Sequence, residues 1–332
     1  MTDPTASFDA FRIHDDAAGY RSGIEQLTLD DLAEGEVVIR AAYSSVNYKD
    51  ALAGTGRGKI LRKAPLVGGI DVAGHVVLSS DARFKEGNAV LATGSGLSET
   101  RDGGYSQFVR LPAQWTIALP SGLSLRESMI LGTAGFTAAL ALLRMEDNRQ
   151  TPALGPLAVT GATGGVGSLA IAIFKRAGYD VHAISGKPDE ASYLREIGAS
   201  EILGRDALST TRPMDSARFG GGLDNVGGAM LAALLAHTAP YGNVATAGLA
   251  ASPELHATVM PFIIRGVSLL GVASAGTARD IREEVWRRLA SDWKPADLER
   301  VCTREVGLDG LPPVFDTMLA GASFGRTLVR IA

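Results

Sequence analysis

The chain has 332 residues, 40 of them glycine, and 46% of its residues are hydrophobic, which is enough to bury the cores of two domains and is typical of an α/β protein with many tight turns. A formal net charge of −4 excludes the strongly basic surface of a nucleic-acid-binding protein. The single cysteine, Cys302, excludes an internal disulfide and a structural zinc site with several cysteine ligands.

The first part of the chain is predicted to be rich in β-strands. Residues 1–7 lack the basic and apolar pattern of a signal peptide and no apolar run reaches membrane-spanning length, so we expect a soluble, cytoplasmic protein. Alternating side chains predict strands at 8–13, 37–42, 74–78, 88–92 and 105–110. Glycines and prolines separate these stretches, which indicates a compact β-rich domain.

Two polar segments lie inside this strand-rich part. The first reads Ser44-Ser45-Val46-Asn47-Tyr48-Lys49-Asp50-Ala51-Leu52. Either Asn47 or Ser45 is a helix N-cap and Asp50 a first-turn acid, or the same side chains line a site. The second segment is a glycine-rich loop whose four cations are Arg57, Lys59, Arg62 and Lys63. They form either a solvated surface or a grip on an anionic substrate tail such as the phosphates of coenzyme A.

A helix is predicted over 124–147, with Ser124 and Glu127 forming a capping box at its start. It leads into a predicted βαβ unit between Gly155 and Lys187, with strands at 157–160 and 181–185 around a glycine turn and a helix.

The glycines of that turn, Gly161, Gly164 and Gly167, have the spacing G-x-x-G-x-x-G rather than G-x-G-x-x-G. Between a strand and a helix, such a turn predicts a dinucleotide site, where the backbone approaches the pyrophosphate at the helix N-terminus. The alternative is a tight turn without a ligand.

The end of the second strand indicates which dinucleotide is bound. NAD sites usually place an acidic residue there to hold the ribose hydroxyls, but this chain has Ser185-Gly186-Lys187 and no carboxylate before Asp189. A hydroxyl and an ammonium suit a 2′-phosphate, so NADP(H) is favoured over NAD(H). The alternative is that Lys187 is an ordinary solvated lysine.

Further strands are predicted at 201–204, 223–226, 242–248 and 268–273, so that six strands alternate with helices in a doubly wound sheet. Ligand contacts are expected at the carboxyl ends of its strands. An amphipathic helix is predicted over 279–291, and we expect a final strand over 325–331 to return to the first domain.

These motifs together resemble those of the medium-chain dehydrogenase/reductase superfamily, in its zinc-free quinone oxidoreductase-like branch and more narrowly the acryloyl-CoA reductase subfamily. The segments that carry the resemblance are 44–52, 69–74, 132–137, 159–167, 185–187, 261–265 and 325–329. The resemblance implies an α/β protein with a GroES-like β-rich catalytic domain at 1–127, rejoined by 297–332, and a Rossmann NADP(H)-binding domain at 128–296. It also implies a homodimer that pairs the strands at 268–273.

The resemblance also implies the cofactor and its contacts. NADPH would be held by Tyr48, Thr163, Gly164, Gly165, Val166, Ser185, Gly186, Lys187, Arg205, Leu249, Ile263 and Ser274. Zinc-dependent relatives have an early cysteine and a Gly-His-Glu motif, whereas here Gly74-His75 precedes Val76 and the cysteine is near the C-terminus. No catalytic zinc is therefore expected, and Cys302 is expected to be an inert buried thiol.

The implied reaction is hydride addition to the β-carbon of an α,β-unsaturated carbonyl, after which the α-carbon takes a proton. Tyr48 offers a phenol donor and Asn47 an amide, and Lys49 supplies a positive charge that favours phenol ionisation. Alternatively, Tyr48 serves only as a wall of the nicotinamide pocket. Arg57, Lys59, Arg62 and Lys63 would hold the phosphates of coenzyme A.

Three departures from the subfamily pattern leave the substrate open. Ser95 stands where the subfamily usually has Trp, Gly68 stands where it has Pro, and Ala273-Ser274-Ala275 replaces Asp-Ser-Val. The hypotheses are a reductase of short 2-enoyl thioesters, a broad quinone or enone reductase, and an NADPH-binding protein without turnover.

Overall fold

The computed structural model describes residues 6–210 and 212–331. The expectation about a signal pattern over residues 1–7 therefore rests mostly on residues outside the described part. The chain divides into two units, the first formed by Met1–Thr133, Ala275–Glu284 and Cys302–Ala332, and the second by Ala134–Ser274 and Val285–Val301. The domain bounds 1–127, 128–296 and 297–332 remain a prediction.

The secondary structure alternates between short strands and helices. The strands in chain order are β1 (Phe8–Asp16), β2 (Gly19–Leu27), β3 (Val37–Ser45), β4 (Leu66–Val67), β5 (Asp71–Ser79), β6 (Ala89–Thr93), β7 (Phe108–Leu111), β8 (Ile117–Ala118), β9 (Leu157–Thr160), β10 (Val181–Ile184), β11 (Glu201–Leu203), β12 (Phe219–Asp224), β13 (Thr238–Thr246), β14 (Ser268–Gly271), β15 (Cys302–Val306) and β16 (Arg326–Arg330). The helices are α1 (Tyr48–Thr55), α2 (Leu125–Asp147), α3 (Gly165–Arg176), α4 (Ala191–Glu196), α5 (Gly228–Ala236), α6 (Met260–Arg265), α7 (Arg279–Leu289) and α8 (Leu311–Leu319).

The first unit is rich in β-strands, as the alternating pattern predicts, and these strands form two sheets. In the smaller sheet β1 pairs with β2 and β4, and in the larger one the order is β15-β16-β3-β5-β6-β8, with β7 also paired to β3. The last strand returns to this unit, where Leu328 lies opposite Ser45 in an antiparallel pair. That expectation is confirmed, and it brings the C-terminal segment beside the start of α1.

Helix α1 rests on apolar and aromatic packing. Helix α8 packs against it, and the ring of Phe315 on α8 lies 5.9 Å from Phe11 and 6.3 Å from Tyr105 between centroids. These rings are buried in the core of the unit. The packing fixes the position of the helix that begins with Tyr48.

The second unit contains a six-stranded parallel sheet in the order β11-β10-β9-β12-β13-β14. In order along the chain this is the 3-2-1-4-5-6 arrangement of a Rossmann fold, so the predicted doubly wound sheet is confirmed. The fifth strand begins at Thr238 rather than at residue 242, and a register irregularity between Phe219 and Gly221 precedes its regular pairing with β12.

One helix of the described residues has the length and hydropathy of a membrane span. Helix α2 has 23 residues and is long and apolar enough to cross a membrane, although 83% of its most apolar window is buried inside the structure. Its alanine and leucine side chains are largely buried, and the core helices of folded domains pass the same test of length and composition.

Candidate active site

The polar segment before α1 does act as a helix cap. Asn47 is the N-cap residue of α1, and the Asp50 carboxylate accepts a hydrogen bond from the Asn47 backbone N–H at 2.8 Å. This is the acidic half of a capping box. The capping role of Asn47 and the first-turn position of Asp50, given by the sequence as one of two interpretations, are confirmed.

The Asn47 side chain is also committed to a buried network. Its Nδ2 donates to Asp71 Oδ2 at 2.7 Å and to Asp50 Oδ2 at 3.1 Å, and its Oδ1 accepts from Arg326 Nη1 at 3.2 Å. Both polar atoms of this amide are therefore engaged within the protein. Asn47 therefore stabilises the start of α1, and its amide has no N–H left to donate to a substrate.

Asp71 is the centre of that network. It accepts from the Ser45 hydroxyl at 2.7 Å and from the Thr133 hydroxyl at 2.5 Å, and its carboxylate lies 3.9 Å from the Arg326 guanidinium. Arg326 in turn donates to the backbone carbonyl of Val46 at 2.8 Å. Sequence reasoning did not assign roles to Asp71, Thr133 or Arg326, although all three lie in the segments that carry the family resemblance.

Burial shifts the ionisation of this cluster. Desolvation and then the nearby charge of Asp71 raise the pKa of Asp50 to about 7, against three hydrogen bonds that favour its charged form. Desolvation also raises the pKa of Tyr105 well above its ordinary value and lowers the pKa of Arg326. An arginine remains charged despite such a shift, so it balances one carboxylate.

Of the three predicted catalytic residues, Tyr48 alone has a free polar group among the residues that the structure describes. The residue is 58% exposed, and its hydroxyl forms no hydrogen bond with that part of the chain. The Lys49 ammonium forms an ion pair with Glu99. The structure therefore separates the three roles: Asn47 is committed to the network, Lys49 is paired, and Tyr48 is presented at the first position of α1.

The basic loop is less free than its composition suggests. Arg57 pairs with Asp316 at 2.9 Å, and Arg62 lies 3.8 Å from Glu99. Within the described part of the chain, Lys59 and Lys63 form no ion pair. Two of the four predicted anion-binding cations are thus partly neutralised by carboxylates.

The glycine turn of the second unit fits a dinucleotide phosphate. Gly161 has a φ of +58°, and a Cβ at Gly167 would meet the backbone of Gly161 and Ala162. Only glycines allow the strand to pass so tightly into α3, which begins at Gly165 with Gly164 as its N-cap. The first-turn N–H groups, including those of Gly165 and Val166, have no partner within the helix and face the position of an anion.

The end of β10 brings together the residues predicted to choose the cofactor. The Ser185 hydroxyl accepts from the Lys187 backbone N–H at 3.0 Å, and a Cβ on Gly186 would collide with the guanidinium of Arg205. Among the described residues no carboxylate forms an ion pair with Arg205. The Ser185 hydroxyl and the Arg205 guanidinium, for which Gly186 leaves room, therefore lie where an NAD site would carry an acidic residue.

The other predicted contacts lie elsewhere on the second unit. Leu249 and Ile263 expose 65% and 74% of their surface, which is high for aliphatic side chains and marks surfaces that a ligand or partner could cover. Ser274 begins a short 3-10 turn. At the carboxyl end of β12, the Asp224 carboxylate accepts hydrogen bonds from the Thr160 hydroxyl and the Gly227 N–H, both at 2.7 Å.

Over residues 6–210 and 212–331, no group of three or more His, Cys, Asp or Glu side chains is placed to hold a metal ion. The expectation that Cys302 is buried is wrong, because the residue is only partly buried at the start of β15 and its Sγ lies 3.5 Å from the Arg304 carbonyl oxygen. The reason is its place on the strand that forms the edge of the larger sheet.

Comparison with known proteins gives the family. Residues 33–121 match the family described as the alcohol dehydrogenase GroES-like domain, and residues 165–291 match that described as zinc-binding dehydrogenase. The chain is 44% identical over 313 residues to the acrylyl-CoA reductase AcuI of Ruegeria pomeroyi, covering 94% of both. It is 43% identical to the quinone oxidoreductase-like protein YhfP of Bacillus subtilis, covering 98% of this chain and 99% of that protein.

Solved structures agree with this result. The yhdH oxidoreductase of Salmonella enterica, in complex with NADP, superimposes with a TM-score of 0.94 at 42% identity and covers 98% of this chain and 100% of its own. The Bacillus subtilis protein, solved with NAD bound, gives a TM-score of 0.95 at 42% identity with the same coverage of both chains. This chain therefore belongs to the medium-chain dehydrogenase/reductase superfamily, in its zinc-free quinone oxidoreductase-like branch.

Proposed function

We propose that this protein reduces the carbon–carbon double bond of a short 2-enoyl thioester of the acryloyl-CoA type, with NADPH as the hydride donor. The names of its relatives and the NADP held by one of them support this proposal. The structural observation that carries the choice of hydride donor is the end of β10, where Ser185, Lys187 and Arg205 replace the acidic residue of an NAD site.

The second unit fits the cofactor in two places. The N-terminus of α3 and the glycine turn, with Thr163, Gly164, Gly165 and Val166, would hold the pyrophosphate. Ser185, Gly186, Lys187 and Arg205 would hold a 2′-phosphate through hydrogen bonds and charge. Bound there, NADPH supplies the hydride that reduces the substrate.

In the first unit, Tyr48 would orient the substrate carbonyl. Its exposed hydroxyl can donate a hydrogen bond to the carbonyl oxygen as negative charge develops on it. Asn47 and Asp50 would fix the first turn of α1 from which Tyr48 projects. Lys59 and Lys63 would meet the phosphates of the coenzyme A tail, with Arg57 and Arg62 joining them when their carboxylate partners are displaced.

A second candidate is a broad NADPH-dependent quinone or enone oxidoreductase. The resemblance to YhfP favours it, and so does Ser95. This small residue has a φ of +52° in the turn after β6, where the thioester reductases usually carry a tryptophan. A smaller side chain leaves room for acceptors other than a short acyl chain.

The test is NADPH oxidation by the purified protein with acryloyl-CoA and with a simple quinone. We expect kcat/KM to be at least about tenfold higher with acryloyl-CoA, which corresponds to about 1.4 kcal/mol of transition-state binding. Turnover of the quinone without turnover of acryloyl-CoA would select the second candidate.

The protein would act in the cytoplasm as a homodimer joined through β14, which is the last strand of the six-stranded sheet. The catalytic domain would comprise 1–127 with 297–332, and the NADPH-binding domain 128–296.

A further inference from the structure

The predicted basic loop and the first turn of α1 share one carboxylate. Glu99 forms an ion pair with Lys49, next to Tyr48, and its Oε1 lies 3.8 Å from Arg62 Nε. The Arg62 backbone N–H also donates to the Glu99 carbonyl oxygen at 2.7 Å. Glu99 therefore connects the first turn of α1 with the basic loop that carries the candidate substrate-binding cations.

A tight turn holds Glu99 in place. The backbone N–H groups of Glu99 and Thr100 donate to the Gly96 carbonyl oxygen at 3.1 and 2.9 Å, and Ser98 N–H donates to the Arg101 carbonyl oxygen at 2.8 Å. Ser98 adopts a left-handed conformation with a φ of +56° inside this turn. The turn therefore fixes the backbone of Glu99, and the ion pair with Lys49 directs its carboxylate toward α1.

We propose that Glu99 determines the charge preference of the substrate site, by holding the cations of Lys49 and Arg62 that would otherwise attract an anionic thioester. This inference rests on the proposed function and names a specificity-determining residue for it. A phosphate of the incoming substrate must compete with the Glu99 carboxylate for both cations. The site therefore favours charged over neutral acceptors less strongly than it would without that carboxylate. Because the pairs are partly exposed, the effect is modest and is weakened by salt.

The test compares the wild type with Glu99→Gln, which keeps the shape of the side chain and removes its charge. The substrates are acryloyl-CoA and the N-acetylcysteamine thioester of acrylate, which has the same acyl group and no phosphates. At low ionic strength we expect kcat/KM for acryloyl-CoA to rise about three- to fivefold in the variant. The value for the neutral thioester should stay within about twofold, and added salt should reduce the difference.

Two further variants test whether the gain in kcat/KM comes from the charge of Glu99 and the cations that it pairs with. Glu86→Gln removes an exposed carboxylate from the turn between β5 and β6, and we expect it to leave the ratio of the two kcat/KM values unchanged. In the double variant Lys49→Met/Glu99→Gln, the gain should shrink because one of the released cations is missing. Equal changes for both thioesters in Glu99→Gln, or no change for either, would overturn the inference.

Calorimetric binding of coenzyme A separates this inference from the proposed reaction. If the wild type reduces neither thioester, the proposed function fails, and the affinity for coenzyme A then decides the role of Glu99 alone. A rise of about three- to fivefold in Glu99→Gln supports the inference, and equal affinities in the two proteins contradict it.

Discussion

Asp50 and Asp71 show how two carboxylates can be buried beside one another in this fold. Asp50 accepts hydrogen bonds from the Asn47 N–H and from the Ile70 N–H at 2.9 Å, and Arg326 supplies positive charge to Asp71. Burial nevertheless favours the neutral form of Asp50 and raises its pKa to about 7. The first turn of α1 is therefore supported by a group that titrates near neutral pH.

That shift predicts a pH-dependent stability. In the unfolded chain Asp50 loses its proton near the ordinary aspartate pKa of 3.8, whereas the folded protein keeps the proton until about pH 7. As pH rises through this window the unfolded state binds fewer protons than the native state, so Asp50 lowers stability by up to about 1.4 kcal/mol per pH unit and then has a constant effect.

Urea midpoints of the wild type and Asp50→Asn between pH 4.5 and 8 measure this contribution. The stability of the wild type relative to the variant should fall with pH up to about 7 and then level off. Parallel curves for the two proteins would show that Asp50 has an ordinary pKa.

Tyr48 carries the proposed contact with the substrate carbonyl. We expect Tyr48→Phe to lower kcat about 100-fold, because it removes one donor to a developing oxyanion and leaves the ring in place. The control is Tyr241→Phe, an exposed tyrosine of the second unit, with wild-type kinetics expected. If kcat of Tyr48→Phe also stays within about twofold, Tyr48 is only a wall of the pocket.

The sequence identified Asn47, Tyr48 and Lys49 as candidate site residues, but it did not separate their roles. Local pattern limited the N-cap to Asn47 or Ser45, and the structure shows that it is Asn47. The partners that engage its amide, Asp71 and Arg326, lie 24 and 279 positions away. Only the fold brings them together, so the sequence could not show that Asn47 has no free donor or that Lys49 is paired.

At the scale of elements, α2 has a kink at Gly132. This residue has φ 49° and ψ −155°, which is outside the helical region. A Cβ there would lie 2.6 Å from Asp71 Oδ2 and 2.7 Å from Ser45 Oγ. At this break the Thr133 N–H donates to Asp71 at 3.0 Å, so the kink of the helix and the buried carboxylate depend on one another.

We therefore expect Gly132→Ala to destabilise the protein by more than about 2 kcal/mol, because it combines backbone strain with a clash against buried polar groups. The matched control is Gly23→Ala on β2, where an added Cβ meets nothing within 4 Å. Thermal unfolding of both variants measures the difference, and equal melting temperatures would contradict the strain at Gly132.

Two strands were not predicted because they bury little of their surface. Strand β2 was not predicted because most of its residues are exposed or half-buried, and the burial pattern is too weak to produce an apolar alternation. Strand β15 was missed for the same reason, since its middle residues are exposed. The buried parallel strands β9 and β10 are short apolar runs, and their bounds were predicted to within one residue.

At the scale of the whole molecule, the parallel sheet ends at β14, which pairs with β13 on one side. An edge strand presents unpaired backbone groups that a second copy can extend. Analytical ultracentrifugation should give twice the chain mass of 34.6 kDa. Leu270→Asp on β14 should shift the protein to the single-chain mass by placing a charge at the joined edges, whereas an unchanged sedimentation mass would exclude this interface.

The order of the six strands was predictable because each βα unit is local and right-handed connections leave few arrangements. The composition of the first unit was harder to predict from local pattern, because this unit combines residues from both ends of the chain. What the local pattern did indicate was the cofactor, through three residues at the end of one strand.

The most direct measurement is therefore the dissociation constants of NADPH and NADH for the wild type, Lys187→Ala and Arg205→Ala, with Lys175→Ala at the exposed end of α3 as the control. The wild type and the control should bind NADPH more tightly than NADH. Each of the other two variants should lose about 10- to 100-fold in affinity for NADPH, since each removes a charged contact to the 2′-phosphate, and almost none for NADH. A wild type that binds NADH at least as tightly as NADPH would contradict the proposed cofactor.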